Sequence, residues 1–141
     1  GFGINTDQFL TKDFGVFAKA SVNDGHTETW FFTEIDRSFT FGGVLKGNSW
    51  KRADDEMGLA FIVNGLSADH RDYLAAGGYG FLIGDGRLNY SPEMIAEFYY
   101  KINAYQKKFW LTPDYQFILH PAYNADRGPV NVLGIRAHVE F

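Results

Sequence analysis

Apolar and polar positions alternate with a period of two over long stretches of this chain, which is how β-strands with two unlike faces read. In Val130–Phe141 one face carries Leu133, Ile135, Ala137, Val139 and Phe141, and the other Val132, Gly134, Arg136, His138 and Glu140. Phe109–Leu119 divides into Phe109, Leu111, Pro113, Tyr115, Phe117 and Leu119 against Trp110, Thr112, Asp114, Gln116 and Ile118. Phe39–Lys46 and Phe14–Val22 split the same way, with Lys46 and Lys19 on their polar faces. Met57–Asn64 and Tyr73–Ile83 alternate more weakly, because their second faces are mostly Gly and Ala. Gly1–Leu10 and Thr27–Glu34 are extended in character without a clear split. The pattern predicts roughly eight or nine strands, of about the 9–11 residues that a tilted barrel strand needs to cross a bilayer.

Ser91–Tyr105 fits two templates. Ser91-Pro92-Glu93 is a good helix start, and Glu93, Glu97 and Lys101 follow at i, i+4 spacing. At period two the same stretch sets Ala96, Phe98, Tyr100, Ile102 and Ala104 against Glu97, Tyr99, Lys101, Asn103 and Tyr105. Its aromatic and β-branched content favours the strand. Asp69–Leu74 has room for one helical turn. Among the connections, Thr11-Lys12-Asp13 and Gln106-Lys107-Lys108 are tight, whereas Asn23–Thr27, Asn48–Asp55, Gly84–Pro92 and His120–Pro129 are longer and rich in Gly, Asn and Asp. Apart from Gly65–Asp72 and a turn near Asp36, short and long connections alternate, as they do at the two rims of an outer-membrane barrel.

Composition narrows the class. The 141 residues include 14 Phe, 8 Tyr, 3 Trp and 16 Gly but only 4 Pro, the reverse of a disordered chain. With no Cys, disulfide scaffolds, thiolate metal sites and cysteine nucleophiles are excluded. A net charge of −4 argues against a nucleic-acid binder, which needs a basic face. No apolar run approaches the roughly 18 residues of a membrane helix. The chain opens at Gly1 without Met or a basic-then-apolar leader, which predicts that any targeting segment has been removed. It closes on an alternating strand and a terminal Phe141.

Alternation alone does not say which face meets water. A soluble lipocalin-like barrel turns its apolar face inward and a membrane barrel turns it outward. The apolar faces here are almost free of the charges that guard soluble sheets, and Tyr73, Tyr90, Tyr105 and Trp110 fall near strand ends, where interfacial girdles form. Both features favour the membrane.

The chain also resembles the carbohydrate-selective porins (OprB type) of Gram-negative outer membranes. The matching stretches are Gly65-Leu66-Ser67, His70 to Gly78, Gly84-Asp85-Gly86-Arg87-Leu88-Asn89-Tyr90, Asp114-Tyr115-Gln116-Phe117, Pro121-Ala122-Tyr123-Asn124 and Asp126-Arg127-Gly128-Pro129. Earlier come Asn23-Asp24-Gly25, Thr27-Glu28-Thr29-Trp30 and Thr33 to Ser38. The resemblance implies an all-β, antiparallel transmembrane β-barrel, of which this chain would be roughly the C-terminal half of a sixteen-stranded porin. Residues 1–141 would then be the C-terminal part of one outer-membrane barrel domain, short of its N-terminal strands. A small eight-stranded barrel is the other reading of the length.

Catalytic and metal readings fail on spacing. Gly78, Gly80, Gly84 and Gly86 lack the G-x-G-x-x-G spacing and no helix follows, so they read as strand bends or close packing. His26, His70, His120 and His138 are scattered, and Asp54-Asp55-Glu56 lacks the pattern of a calcium loop and reads as a solvated loop. No cofactor, metal or catalytic constellation is expected. The polar faces carry more information, because burying so many charges in a dry core would cost several kcal/mol each unless paired. A water-filled lumen removes that cost. Its candidate lining residues are Glu97, Tyr99, Lys101, Trp110, Asp114, Gln116, Arg136, His138 and Glu140, with Arg87 and Arg127 either reaching a constriction from the loops or bridging loops to one another. Lys19, Lys46, Asn64 and Asn103 share the polar faces, and Tyr105 is expected beside Tyr99 and Trp110.

The expected function is passive diffusion of small sugars through the barrel, with small sugars, outer-membrane lipid and the remaining barrel strands as partners. The alternatives are a soluble β-barrel binding an apolar ligand in its interior, and an outer-membrane enzyme or adhesin on a small barrel.

Overall fold

The computed structural model describes residues 1–27 and 34–141. Seven strands run through it: β1 (Phe2–Phe9), β2 (Phe14–Val22), β3 (Arg37–Lys46), β4 (Glu56–Gly65), β5 (Glu93–Tyr105), β6 (Phe109–Leu119) and β7 (Val130–Val139). They form one antiparallel sheet in chain order, so each strand bonds only its sequence neighbours. Gly1–Leu10 supplies β1, and the period-two reading of Ser91–Tyr105 is correct from Glu93 onward. The helix signature there serves another purpose. Ser91 Oγ lies 2.8 Å from His120 Nδ1, and Glu93 accepts from the Ala122 N–H at 3.1 Å, tying the start of β5 to the next loop.

The strand anticipated over Tyr73–Ile83 is absent, which leaves seven strands among the described residues in place of eight or nine. Ser67 accepts from the His70 N–H at 3.0 Å and caps helix α1 (Ala68–Ala75), which takes Tyr73. Farther along, the Phe81, Leu82 and Ile83 N–H groups all donate to the Glu34 carboxylate, at 2.8, 2.7 and 2.9 Å. Donors committed to one carboxylate cannot also form a strand ladder. Gly80 permits this approach, since a Cβ there would overlap the Glu34 carboxylate. The extended reading of Thr27–Glu34 lies, apart from its two end residues, outside the described residues.

With that segment in a loop, the alternation of connections becomes regular. Turns 10–13, 47–55 and 106–108 share one end of the sheet, and the connection from β2 to β3 and loops 66–92 and 120–129 share the other. Residues Asn48–Asp55, expected among the long loops, therefore belong to the short-turn end. Asp55 organises that end. Its side chain is buried, which opposes ionisation, but Arg52, the Asn103 N–H (2.9 Å) and the Tyr100 hydroxyl (2.8 Å) donate to it. These donors outweigh burial and hold the carboxyl below the usual range. Trp50 Nε1 donates to the same Tyr100 hydroxyl at 2.7 Å, and Asp54 pairs with Lys107 at 2.8 Å. Asp54-Asp55-Glu56 is thus not a uniformly solvated run.

The hydrophobic core lies in the long loops. Leu66, Leu74, Ile83 and Tyr123 are buried together, with Leu88, Tyr90 and Ala122 packed against them. Tyr123 donates to the Glu34 carbonyl at 2.6 Å, and burial pushes its hydroxyl well above its ordinary pKa, so it remains a donor. The sheet has no such core. Register places Phe41, Phe61 and Ala96 in one row, and Phe39, Val63, Met94 and Leu119 in the next, all on one face. That face is open: Phe39 is 53% exposed, Phe61 50% and Ile135 76%. Along β3 and β4 the opposite positions, from Ser38 to Gly42 and from Gly58 to Asn64, are buried or half-buried. Side chains on that polar side shield one another more than those on the apolar side, as they do on the concave side of a curved sheet.

Two predictions follow from these contacts. In detergent, Asp55→Asn should cost about 1–3 kcal/mol, because the carboxylate's donors lose their best acceptor. A depressed carboxyl pKa stabilises the fold above the unfolded value and fails as pH falls through the folded one, so the wild type's margin over Asp55→Asn should shrink from about pH 5 toward pH 3. Paired thermal melts across that range check it, and a margin independent of pH contradicts it. On the faces, Phe61→Arg should cost about 2–4 kcal/mol in a lipid bilayer while Gln116→Arg costs little. Equal losses in bilayer unfolding measurements would reverse the assignment of the two faces.

Candidate functional site

The polar face gathers the residues with chemistry to offer, and the register orders them in rows. Nearest the long loops stand Asn64 and Glu93, where the Asn64 amide donates to Glu93 at 3.3 Å. Next comes an apolar row of Ile62, Ile95 and Ile118, then Ala60, Glu97, Gln116 and Val132. The following row holds Gly58, Tyr99, Asp114 and Gly134. Toward the short turns, Glu56 sits between Lys46 and Lys101, Thr112 opposes Arg136, and Asn103, Trp110 and His138 close the series.

Nine of the expected lining residues therefore meet on one face. Tyr99 donates to Glu56 at 2.8 Å and packs against Gly58, where a Cβ would overlap its ring. The Lys101 ammonium sits 5.3 Å from the Trp110 ring centroid, and Trp110 packs against His138 with ring centroids 5.5 Å apart. His138 Nε2 lies 3.1 Å from Glu140, which follows the end of β7. Carboxylates of Glu97 and Asp114 thus occupy the middle of the face and the cations of Lys46, Lys101 and Arg136 its short-turn side.

The structure corrects some of the expected placements and decides between the alternatives for others. A bulge pairs Asn103 with Trp110 and Tyr105 with Phe109, which moves Tyr105 from the polar to the apolar face. Trp110 faces the polar side, and Tyr73 sits in α1, so neither joins a lipid-facing girdle; Trp50, Tyr100 and Tyr105 take that place at the short-turn rim. Arg127 pairs with Asp85 and bridges two loops, the second of its anticipated roles. Arg87 lines a cleft with Arg71, Asp72 and Tyr90, away from the polar face. Glu56 and Glu93 were missed as lining residues, although Glu56 continues the alternation of Gly58, Ala60, Ile62 and Asn64.

Comparison with known proteins fits this geometry. The family model described as carbohydrate-selective porin, OprB family, matches residues 1–141. The chain belongs to the OprB family of carbohydrate-selective porins. It is similar in fold to the high-pH structure of Pseudomonas putida OprB, with a TM-score of 0.78 and 19% identity. That match covers 99% of this chain and 34% of the other, so the chain spans about a third of the length of that porin. Comparison with curated protein sequences found no match. Within an OprB-type barrel a concave polar face is the inner wall, and a convex apolar face meets lipid.

The Tyr99–Gly58 contact gives a direct test of that wall. Gly58→Val should displace the Tyr99 ring from the wall toward the lumen and lower single-channel conductance of the intact barrel in planar bilayers. Tyr99→Ala added to Gly58→Val should restore it. Unchanged conductance in the single variant would mean that this row does not line the narrow part of the path.

Proposed function

We propose that these 141 residues are the C-terminal part of a single Gram-negative outer-membrane barrel, and that the complete barrel passes small carbohydrates by passive diffusion. The observation that carries this reading is a sheet with one exposed apolar face and one concave polar face, its long loops all at one end. Hydroxyl-bearing solutes suit such a wall. Glu97, Asp114, Gln116 and Arg136 offer donors and acceptors, while Tyr99 and Trp110 offer ring faces to sugar C–H surfaces. Weak, multiple contacts of this kind let a solute enter and leave quickly, and no energy source is required. A channel of this design performs no catalysis.

Strand direction bears on completeness. Among the described residues, seven alternating strands leave β1 and β7 pointing the same way, each with an unpaired edge. Joining β1 to β7, within one copy or between two, would therefore create a parallel pair in an otherwise antiparallel sheet. Antiparallel closure needs an odd number of additional strands. In hydrocarbon each open backbone group costs several kcal/mol, so the edges must be covered by the rest of the barrel.

The expected outcome is that the intact barrel forms stable channels in planar bilayers that glucose partly blocks, whereas residues 1–141 alone form none. Stable, glucose-blockable channels from the 141 residues alone would make this segment a complete transporter. An intact barrel with conductance indifferent to every small sugar would remove the carbohydrate assignment.

A further inference from the structure

The apolar face carries one charged residue among the described strand positions. Arg37, at the long-loop end of β3, stands in register with Val22 and Gly65 and shares their side of the sheet. It is exposed and forms no ion pair among the described residues. Beside it lies Tyr90, whose hydroxyl accepts from the Leu66 N–H at 3.3 Å and would touch a Cβ on Gly65. Gly65 faces the apolar side, so the Tyr90 hydroxyl does as well.

Two neighbouring clefts share Tyr90. One, of about 400 Å³, runs along Val22, Arg37, Phe39, Val63 and Gly65. The other, of about 260 Å³, is lined by Arg71, Asp72, Arg87 and Leu88. The Arg71 guanidinium lies 4.4 Å from the Tyr90 ring centroid, and its Nε donates to the Ser67 carbonyl at 3.2 Å. Its terminal nitrogens, like those of Arg87, make no hydrogen bond among the described residues. Arg71 and Arg87 thus share one cleft with a single carboxylate, Asp72, and Arg37 lines the neighbouring cleft, with Tyr90 common to both at the rim of an apolar wall. Planar forks of this kind match phosphate oxygens, and cations at the edge of a lipid-facing surface reach the headgroup level.

We propose that this outer rim is a binding site for a phosphate-bearing lipid. Its headgroup is held by Arg37, Arg71 and Arg87, and its acyl chain lies along Val22, Phe39 and Val63. The proposal rests on the membrane-barrel reading, because only a bilayer brings lipid to this face. It concerns the outside of the wall and makes no demand on what passes through the lumen.

The test uses the intact barrel containing this chain, purified in mild detergent and examined by native mass spectrometry with one of three probes. These are dioleoyl phosphatidate, dioleoyl phosphatidylcholine and inorganic phosphate. Phosphatidate should be retained in preference to phosphatidylcholine, and the R37Q/R87Q variant should lose about tenfold in phosphatidate retention. R37K/R87K, which keeps the charge, should lose less. Heat-modifiable electrophoretic mobility shows that each variant is folded, and the comparison of lipids in the wild type stands independently of any variant. Equal retention of the two lipids, equal retention by wild type and R37Q/R87Q, or displacement of phosphatidate by millimolar inorganic phosphate would each overturn the proposal. A wild-type barrel that conducts in bilayers yet retains the two lipids equally would overturn the lipid site alone. A wild-type protein that does not insert would overturn the barrel reading with it.

Discussion

Inside hydrocarbon a backbone N–H or C=O has no water to bond, and leaving it open costs several kcal/mol. The architecture follows from that constraint. A chain that cannot use long apolar helices must satisfy its backbone through neighbouring strands, and a nearest-neighbour meander does so with the shortest connections. The β5–β6 ladder shows how local the accounting is. Pro113 has no N–H to donate, and the pairing lapses at Tyr100 and Lys101, opposite Pro113 and Thr112, before resuming at Ile102 and Leu111. At the far end of β5 a bulge absorbs one residue and turns Tyr105 outward to the rim.

With the sheet dedicated to crossing the bilayer, compact packing moves elsewhere. The buried residues Leu66, Leu74, Ile83 and Tyr123 belong to the long-loop end of the sheet and pack with one another. Polar clamps hold these loops in place. Glu34 gathers three backbone N–H groups from the 66–92 loop, while Asp36 accepts from the Ser67 N–H at 2.8 Å and lies 2.9 Å from His70 Nδ1. At the opposite end Asp55 does the same for the short turns. Each clamp is a buried carboxylate surrounded by donors, the arrangement in which a buried charge is tolerated. The sheet between them keeps one exposed apolar face and one face of mixed charge.

Much of this was legible in the amino-acid pattern. Six of the seven strands are visible as period-two stretches, and the nine lining residues from Glu97 to Glu140 fall together because alternation is a local property of the backbone. Tyr73–Ile83 was misread because Gly and Ala make its second face neutral, while the contact that decides it comes from Glu34, distant in sequence. Tyr105 was misplaced for a related reason: a bulge leaves no mark on hydrophobic periodicity, and its effect is to exchange the faces beyond it.

The sequence by itself therefore determined the β class, the two-faced strands, their approximate ends and the family resemblance, all of which depend on short-range spacing. Only the tertiary structure decided which side of the sheet is concave, that the core sits in the loops, and that Arg87 shares a cleft with Arg71 and Tyr90. Those outcomes depend on strand register and on contacts between distant segments. Register follows from pairing between strands, and no single strand carries that information.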